Sequence, residues 1–413
     1  MTQTITFREY QTDIIDTASK ILLSSGFVYL AMEVRTGKTL TSLGIANKVN
    51  AQDVLFITKK KAISSIEKDY SLLKPYFSLS VTNYESLHKI DNDIHWDLII
   101  CDEAHSMGAF PKPSNRAIAV KNLIVRHKPR VILLSGTPTP ESYSQMYHQV
   151  YGVPNNPFKE FKNFYRFCDV YVKLKERMIN GLMIRDYSEG LETIIEKMKP
   201  YMINYTQAEA GFNSKTTEEV LEVELKESTY KLINRLKRDL VVTGKEEVIL
   251  GDTPVKLMMK MHQMYSGTVK FESGNSMVID DSKAVFIHDN FCNYKIGIFY
   301  KFKEELVVLK SVFGDDLTTE LSVFEDTNKS IALQIVSGRE GISLKQADFL
   351  VYYNIDFSAT SYWQSKDRMT TKDRLENKVY WVFAKDGIEN EIYKAVTKKK
   401  DYTVSHFKND FYL

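Results

Sequence analysis

Five short apolar runs punctuate the first 150 residues: "FVYLAM" (27 to 32), "DVLFIT" (53 to 58), "LSVTNY" (79 to 84), "WDLIICDE" (96 to 103) and "RVILLSG" (130 to 136). Most are near-continuously apolar and rich in branched or aromatic residues, the pattern of a strand covered on both faces of a parallel sheet. Between them apolar positions fall at helical spacing, as in "KTLTSLGIANKV", where Leu40, Leu43 and Ala46 share a face. Strand and helix in alternation predict a doubly wound α/β domain.

The rhythm changes between 151 and 282. That stretch opens on "YGVPNNPF", carries "FKEFKNFYRFC" and continues with charged amphipathic patterns, "ESTYKLINRLKRDL" and "VKLMMKMHQMY". It reads as mainly helical, with a hairpin or loop at "SGTVKFESGNSMVID". From 283 the α/β rhythm returns in "KIGIFY" (295 to 300), "IALQIV" (331 to 336), "DFLVYYN" (348 to 354) and "KVYWVFA" (378 to 384), spaced by helical patterns. The expected organisation is a first α/β domain over 1–150, a mainly helical insertion over 151–282 and a second α/β domain over 283–413.

Composition agrees. A chain of 413 residues exceeds one ordinary core, and 43% hydrophobic with 26% charged residues is the balance of a soluble globular protein. A net charge of +2 does not single out nucleic acid and leaves a local basic groove as the electrostatic route to it. Cys101, Cys168 and Cys292 lie far apart with no C-x-x-C pair, which argues against a zinc site or a disulfide framework and fits a reducing cytoplasm. The opening "MTQTITFREYQ" lacks the apolar core of a secretory signal, and no apolar run approaches the roughly 18 residues of a membrane span. A cytoplasmic protein with no membrane partner is expected.

Candidate chemistry begins at "YLAMEVRTGKTL", where an apolar strand runs through a loop into a helix. Gly37, Lys38 and Thr39 match the last three positions of the phosphate-loop pattern G-x-x-x-x-G-K-[ST], and Met32 stands where its first glycine belongs. In that context the loop's N–H groups, Arg35 and Thr36 among its residues, face an anion. Lys38 reaches the outer phosphates, and the Thr39 hydroxyl ligates magnesium. "WDLIICDEAH" then sets Asp102, Glu103 and His105 at the end of a buried strand, where open α/β sheets bind ligands. Asp102 suits magnesium and Glu103 suits a general base for an attacking water. A chance G-K-T or an acidic helix cap explains either piece alone; the two together read as an ATP site.

With "DEAH" and "LLSGTPTP" (133 to 140), and with the order of the later segments, the chain resembles helicase superfamily two. It is most similar to the Swi/Snf-type branch of DNA-dependent ATPases, and within it to small, phage-like members, which would place it in a host cytoplasm. The resemblance implies two RecA-like domains, ATP and magnesium as cofactors, and a monomeric motor gripping nucleic acid, DNA foremost, by its backbone. On the same resemblance "FREYQ" is an adenine-side motif, with Gln11 reading the base and Arg8 and Tyr10 supporting it. Ser135, Gly136 and Thr137 of "SGTP", together with His105, couple hydrolysis to domain motion. Lys59, Lys60, Asn83, Tyr84 and Gly341 touch nucleic acid. "YWQSKDRM" is similar to the arginine-finger motif Q-x-x-G-R-x-x-R and aligns Gln364 and Arg368 as catalytic.

Some positions depart from that pattern. Asp367 takes the motif's glycine position and Thr371 its second arginine, with Lys372 and Arg374 just beyond. Arg35 stands where the relatives usually have glycine, whereas they too lack the glycine at Met32 and keep an acidic residue at Glu33. Three readings stay open: a DNA translocase, a strand-separating helicase on DNA or RNA, and a non-hydrolysing scaffold on a degenerate motor. The aromatic spacing of Phe161 and Phe164 reads first as core, and only second, with Lys162 and Arg166, as a nucleic-acid contact.

Overall fold

The computed structural model describes residues 6–91, 93–179, 182–212, 214–338, 342–366, 368–371 and 374–398. They form two compact units, Met1–Gly211 and Phe212–Leu413. The mainly helical stretch expected over 151–282 is shared between the units, which divide at 211.

The first unit is built on six parallel strands: β1 (Phe27–Met32), β2 (Asp53–Thr58), β3 (Ser78–Asn83), β4 (Leu98–Cys101), β5 (Arg130–Leu134) and, after the antiparallel hairpin β6 (Lys175–Ile179) and β7 (Leu182–Asp186), β8 (Met202–Tyr205). Their order across the sheet is β3-β2-β4-β5-β1-β8. Because successive side chains point to opposite faces, the all-apolar runs feed two cores. Val28, Leu30, Phe56, Ile100 and Ile132 pack with α1 (Glu9–Ser25), α2 (Lys38–Lys48) and α3 (Ile63–Leu73). Tyr29, Leu55, Ile57, Ile99 and Leu133 pack on the other side with α4 (Asn115–His127), α5 (Met146–Gln149), α6 (Phe164–Tyr171) and α7 (Thr193–Met198). Each such side chain is worth about 1.5–3 kcal/mol when fully buried. Truncating Ile132, which has no solvent exposure, to alanine would cost about 2–5 kcal/mol.

The second unit repeats the plan with β9 (Lys215–Val223), the hairpins β10 (Val241–Thr243) with β11 (Val248–Leu250) and β12 (Thr268–Lys270) with β13 (Ser276–Val278), then β14 (Ile296–Tyr300), β15 (Leu317–Thr318), β16 (Ser330–Gln334), β17 (Phe349–Tyr352) and β18 (Glu376–Ala384). Its six-stranded parallel sheet runs β15-β16-β14-β17-β18-β9. One face carries α8 (Glu227–Asp239), α9 (Pro254–Tyr265), α12 (Leu321–Asp326), α13 (Ile335–Gly338), α14 (Ala359–Ser365) and α15 (Glu389–Val396); the other carries α10 (Ser282–Phe291) and α11 (Lys303–Phe313). Local chemistry sets the boundaries: α9 starts at Pro254 behind Thr253, whose hydroxyl accepts the Lys256 N–H. The fold is therefore two RecA-like parallel-sheet units. β8 and β9, the strands hidden in the supposedly helical stretch, each close one edge of a sheet.

Two local expectations change. The β12/β13 hairpin is present at "SGTVKFESGNSMVID", but it is tied down, with Val269 buried, the Lys260 ammonium on the Lys270 carbonyl and Ser276 on Glu304. Phe164 and Phe167 are core, packed with Tyr147, Phe158 and Tyr171, which removes Phe164 from any nucleic-acid surface.

Candidate nucleotide site

In a parallel sheet all strands end on one edge, so the loops after β1, β4 and β5 must emerge together. The register enforces it: Leu30 pairs with Leu134, and Cys101 with Leu133. Lys38, Asp102, Glu103 and Ser135 to Thr137 thereby meet at one edge of the first unit.

The loop after β1 turns into α2 through Gly37, whose φ of +81° lies in the left-handed region that favours glycine. A Cβ there would stand 2.3 Å from Nε2 of Gln11. Gln11 is buried and fully engaged: its Oε1 accepts the Arg8 N–H at 2.9 Å, and its Nε2 donates to the Gly37 carbonyl at 3.3 Å and to Thr41 at 3.4 Å. It braces the loop through its amide, a different use from the base-reading edge expected of it. Tyr10 does likewise, giving its hydroxyl to the Thr36 carbonyl at 3.0 Å while receiving Arg8 at 2.9 Å. Thr36 is itself buried, its hydroxyl on the Glu33 carbonyl at 2.7 Å. Arg35 adopts a φ of 65°, a left-handed conformation that costs a side-chain-bearing residue roughly 1 kcal/mol.

The Lys38 ammonium donates to the carbonyls of Met32 at 2.9 Å and Glu33 at 3.0 Å. Gly136 lies over the same point: a Cβ on it would sit 3.5 Å from the Met32 oxygen and 3.6 Å from the Lys38 nitrogen. Thr39, half-buried, is the second residue of α2, where the helix presents unsatisfied N–H groups.

Asp102 accepts the Thr58 hydroxyl at 2.8 Å. Burial, then the neighbouring Glu103 carboxylate, pushes its carboxyl up to about 6, although the Thr58 hydrogen bond and the Lys38 charge pull the other way. Glu103, with a φ of 51°, leads into the turn Ala104–Met107 and turns its carboxylate to His105 Nδ1 at 3.2 Å. The same nitrogen lies 2.9 Å from the Ser135 hydroxyl. Ser135 in turn accepts the Thr137 N–H at 3.1 Å, and the hydroxyl of Thr137 is buried with no hydrogen-bond partner.

These features fit a magnesium nucleotide. Two adjacent half-buried carboxyls beside an ammonium are costly together as anions and gain from a divalent cation. The loop backbone, the start of α2 and Lys38 suit phosphates.

Other predicted residues fall elsewhere. Lys60 is exposed and Lys59 half-buried at the end of β2, as a backbone contact requires. Asn83 and Tyr84, in contrast, are buried; Tyr84 gives its hydroxyl to the Asp102 carbonyl at 2.6 Å and so stands behind the site. In the second unit Arg368 donates to the Ile342 carbonyl at 3.3 Å, and its own carbonyl accepts the Leu344 N–H at 2.9 Å. Gln364 belongs to α14, its side chain outside the described residues, as are Gly341, Asp367 and Lys372. Arg374 serves the backbone, donating to the carbonyls of Lys345, Ala347, Asp348 and Glu376.

Sequence reasoning missed the brace from β8. The Glu33 N–H donates to the Tyr205 carbonyl at 2.9 Å, Gln207 gives its N–H to the Glu33 carboxylate at 2.8 Å and its side chain to the Val34 carbonyl at 3.0 Å, and Tyr205 stacks on Tyr10 at 4.7 Å. "MINY" is too short a run to announce a strand. Thr58 was findable, since it ends a strand on the same edge.

The sequence model of the SNF2-related domain matches residues 30–276. No curated protein matches the sequence significantly. Among solved structures, the chain is similar to the Sulfolobus solfataricus SWI2/SNF2 ATPase core in complex with dsDNA, with 15% identity, a TM-score of 0.43, and coverage of 99% of this chain and 93% of that one. The Sulfolobus solfataricus SWI2/SNF2 ATPase core domain also matches, with 15% identity, a TM-score of 0.43, and coverage of 97% and 90%. The family match spans more than half of the chain, and it includes the phosphate loop, the strand-end carboxylates and the "SGTP" turn: the protein belongs to the SNF2-related domain family, the Swi/Snf-type branch of helicase superfamily two.

Proposed function

We propose that the protein is an ATP-dependent DNA motor, a translocase whose two RecA-like units close and open on the DNA backbone as ATP is bound and hydrolysed. The observation that carries this reading is the meeting of Lys38, Asp102, Glu103 and Ser135 at one sheet edge, with His105 touching both Glu103 and Ser135.

In this reading Lys38, Thr39 and the loop N–H groups hold the phosphates, and Asp102 and Thr39 hold magnesium. When bound there, magnesium would supply positive charge to offset that of the phosphate oxygens. Glu103 takes the proton of the attacking water. Arg8, Tyr10 and Gln11 shape the adenine side by fixing the loop. Arg368 of the second unit stabilises charge on the transferring phosphoryl group, a role worth about 10³ to 10⁵ in rate, so hydrolysis requires closure. Nucleotide binding that favours one arrangement of the units then becomes motion. Lys59 and Lys60 contact phosphates, which positions DNA without reading sequence. The four carbonyls that accept from Arg374 support a structural role for it.

The test is ATP turnover titrated with single-stranded, duplex and branched DNA and with RNA at two salt concentrations, alongside strand displacement. Turnover stimulated by DNA and abolished in Lys38→Ala and Glu103→Gln is expected. Turnover indifferent to nucleic acid and to both substitutions removes the reading, and displacement of a strand replaces the translocase with a helicase.

A further inference from the structure

Glu218 stands on β9, the edge strand of the second unit's sheet, outside every motif considered above. Its carboxylate is the meeting point of four donors from three other elements. Tyr362 gives its hydroxyl at 2.8 Å and Lys366 its ammonium at 2.7 Å, both from α14 or its C-terminal cap; Trp381 of β18 gives its indole N–H at 3.0 Å, and Tyr393 of α15 its hydroxyl at 3.3 Å. A carboxylate has about four lone-pair positions, so its capacity is filled. The Lys366 ammonium also lies 4.5 Å from the Tyr362 ring and 4.1 Å from the Trp363 ring. Around it Tyr362 stacks on Trp381 at 5.4 Å, and Trp381 on Tyr352 at 3.9 Å.

The chemistry here is unusual for an edge strand. Glu218 and Lys366 keep only 16% and 15% of their side chains exposed. Val220, two positions on and on the same face, packs against the apolar core, so an apolar residue would serve packing at Glu218 equally well. Replacing a buried ion pair by apolar groups is often neutral or stabilising. What the carboxylate adds is direction: its bonds to Tyr362 and Lys366 set the rotation of α14 about its axis and its distance from β9, while those to Trp381 and Tyr393 hold the carboxylate itself in place. Lys366 precedes Arg368 by two residues, a backbone span of at most about 7 Å. Arg368 is also pinned from its far side, its carbonyl taking the Leu344 N–H.

We propose that Glu218 is a positioning residue for Arg368: by holding Tyr362 and Lys366 it sets α14 so that the guanidinium two residues further on is delivered to the nucleotide. This rests on the reading of Arg368 as the arginine finger. Displacement of a reacting group by about 1 Å costs on the order of 10²-fold in rate. The full chain with Glu218→Ala should therefore lose about 10- to 100-fold in DNA-stimulated kcat, with KM for ATP unchanged because the first unit holds the nucleotide.

A double-substitution cycle separates positioning from general weakening. Glu218→Ala, Arg368→Ala and the double variant are compared for kcat, KM and thermal unfolding, with Glu218→Gln, which keeps volume and one acceptor oxygen, carrying the comparison if the alanine variant does not fold. The expected result is a double variant no slower than Arg368→Ala alone, with Glu218→Gln intermediate in kcat between wild type and Glu218→Ala. Losses that multiply in the double variant overturn the proposal, as do Glu218 variants with wild-type kcat beside an impaired Arg368→Ala. An Arg368→Ala protein with wild-type turnover strikes the finger assignment itself, and the positioning role falls with it.

Discussion

The imidazole of His105 meets the hydroxyl of Ser135 at 2.9 Å, and through the same nitrogen it meets the Glu103 carboxylate at 3.2 Å. Ser135 opens the turn after β5, whose Pro138 carbonyl accepts from Gln149, which in turn accepts the Tyr29 hydroxyl. A single ring thus joins the candidate general base to a chain of buried polar contacts running beneath the sheet edge.

Removing that ring should uncouple the parts without emptying the site. His105→Ala is expected to lower the stimulation of ATP turnover by DNA about tenfold, the size of an ordinary coupling energy, while nucleotide affinity stays at the wild-type value. Turnover with and without saturating DNA, with a fluorescent-nucleotide titration, checks this; unchanged stimulation refutes it.

The two glycines at the site answer differently to alanine. Gly37→Ala meets Gln11 and the strain of a positive φ, so it should cost about 1–2 kcal/mol and weaken nucleotide binding. Gly136→Ala finds its new methyl at ordinary contact distance, 3.5 to 3.6 Å, and should fold with wild-type stability. Thermal unfolding of both variants decides.

Arg374 and Arg368 make a second contrast. Four carbonyls around one guanidinium demand its fork, which an ammonium lacks. Arg374→Lys should destabilise the second unit by about 2–3 kcal/mol, seen by denaturant unfolding. Arg368→Ala should leave stability near wild type and lower turnover about 10³-fold.

His262 is wholly buried and gives its Nε2 proton to Asn354 at 2.6 Å, leaving Nδ1 with no partner. Burial foremost, then the Lys301 charge, holds its pKa well below 6.5, with Lys283 acting the same way and Asp356 opposing. The unfolded chain binds the proton first, so this contribution to stability is complete above pH 6.5 and is lost as pH falls below it. His262→Gln, which keeps a donor for Asn354, should flatten the fall in melting temperature between neutral and mildly acidic pH. An unchanged slope counts against it.

Much of this was legible in the chain. Strands β1, β2, β5 and β14 and the stretch of β18 from Val379 on are nearly continuous apolar runs because both sheet faces are covered, and the charged patterns of α8 and α9 lie where their periodicity predicts. Lys38, Asp102 and Glu103 stood out by motif and Ser135 by resemblance, and the converging strand ends bring all four to one edge. Asn83 and Tyr84 were misplaced because polarity does not reveal burial: a tyrosine with a carbonyl to serve can sit behind a site. β9, "KTTEEVLEV", hides as a strand because an edge strand carries polar residues, among them the Glu218 that α14 needs. The αL backbone of Arg35 leaves no mark on an arginine.

The edge strands bear on how such a chain is made. β9 is the first strand of its unit in sequence, yet its whole length pairs with β18, the last of that sheet's strands to be synthesised. On the ribosome β9 must wait, its ladder groups unmatched, through the emergence of every other strand of the sheet. Long-range parallel pairing of this kind is slow and open to aggregation. Charges along an edge strand such as "KTTEEVLEV" act as gatekeepers during that wait, which gives Glu218 and its neighbours a use before they organise the finished chain.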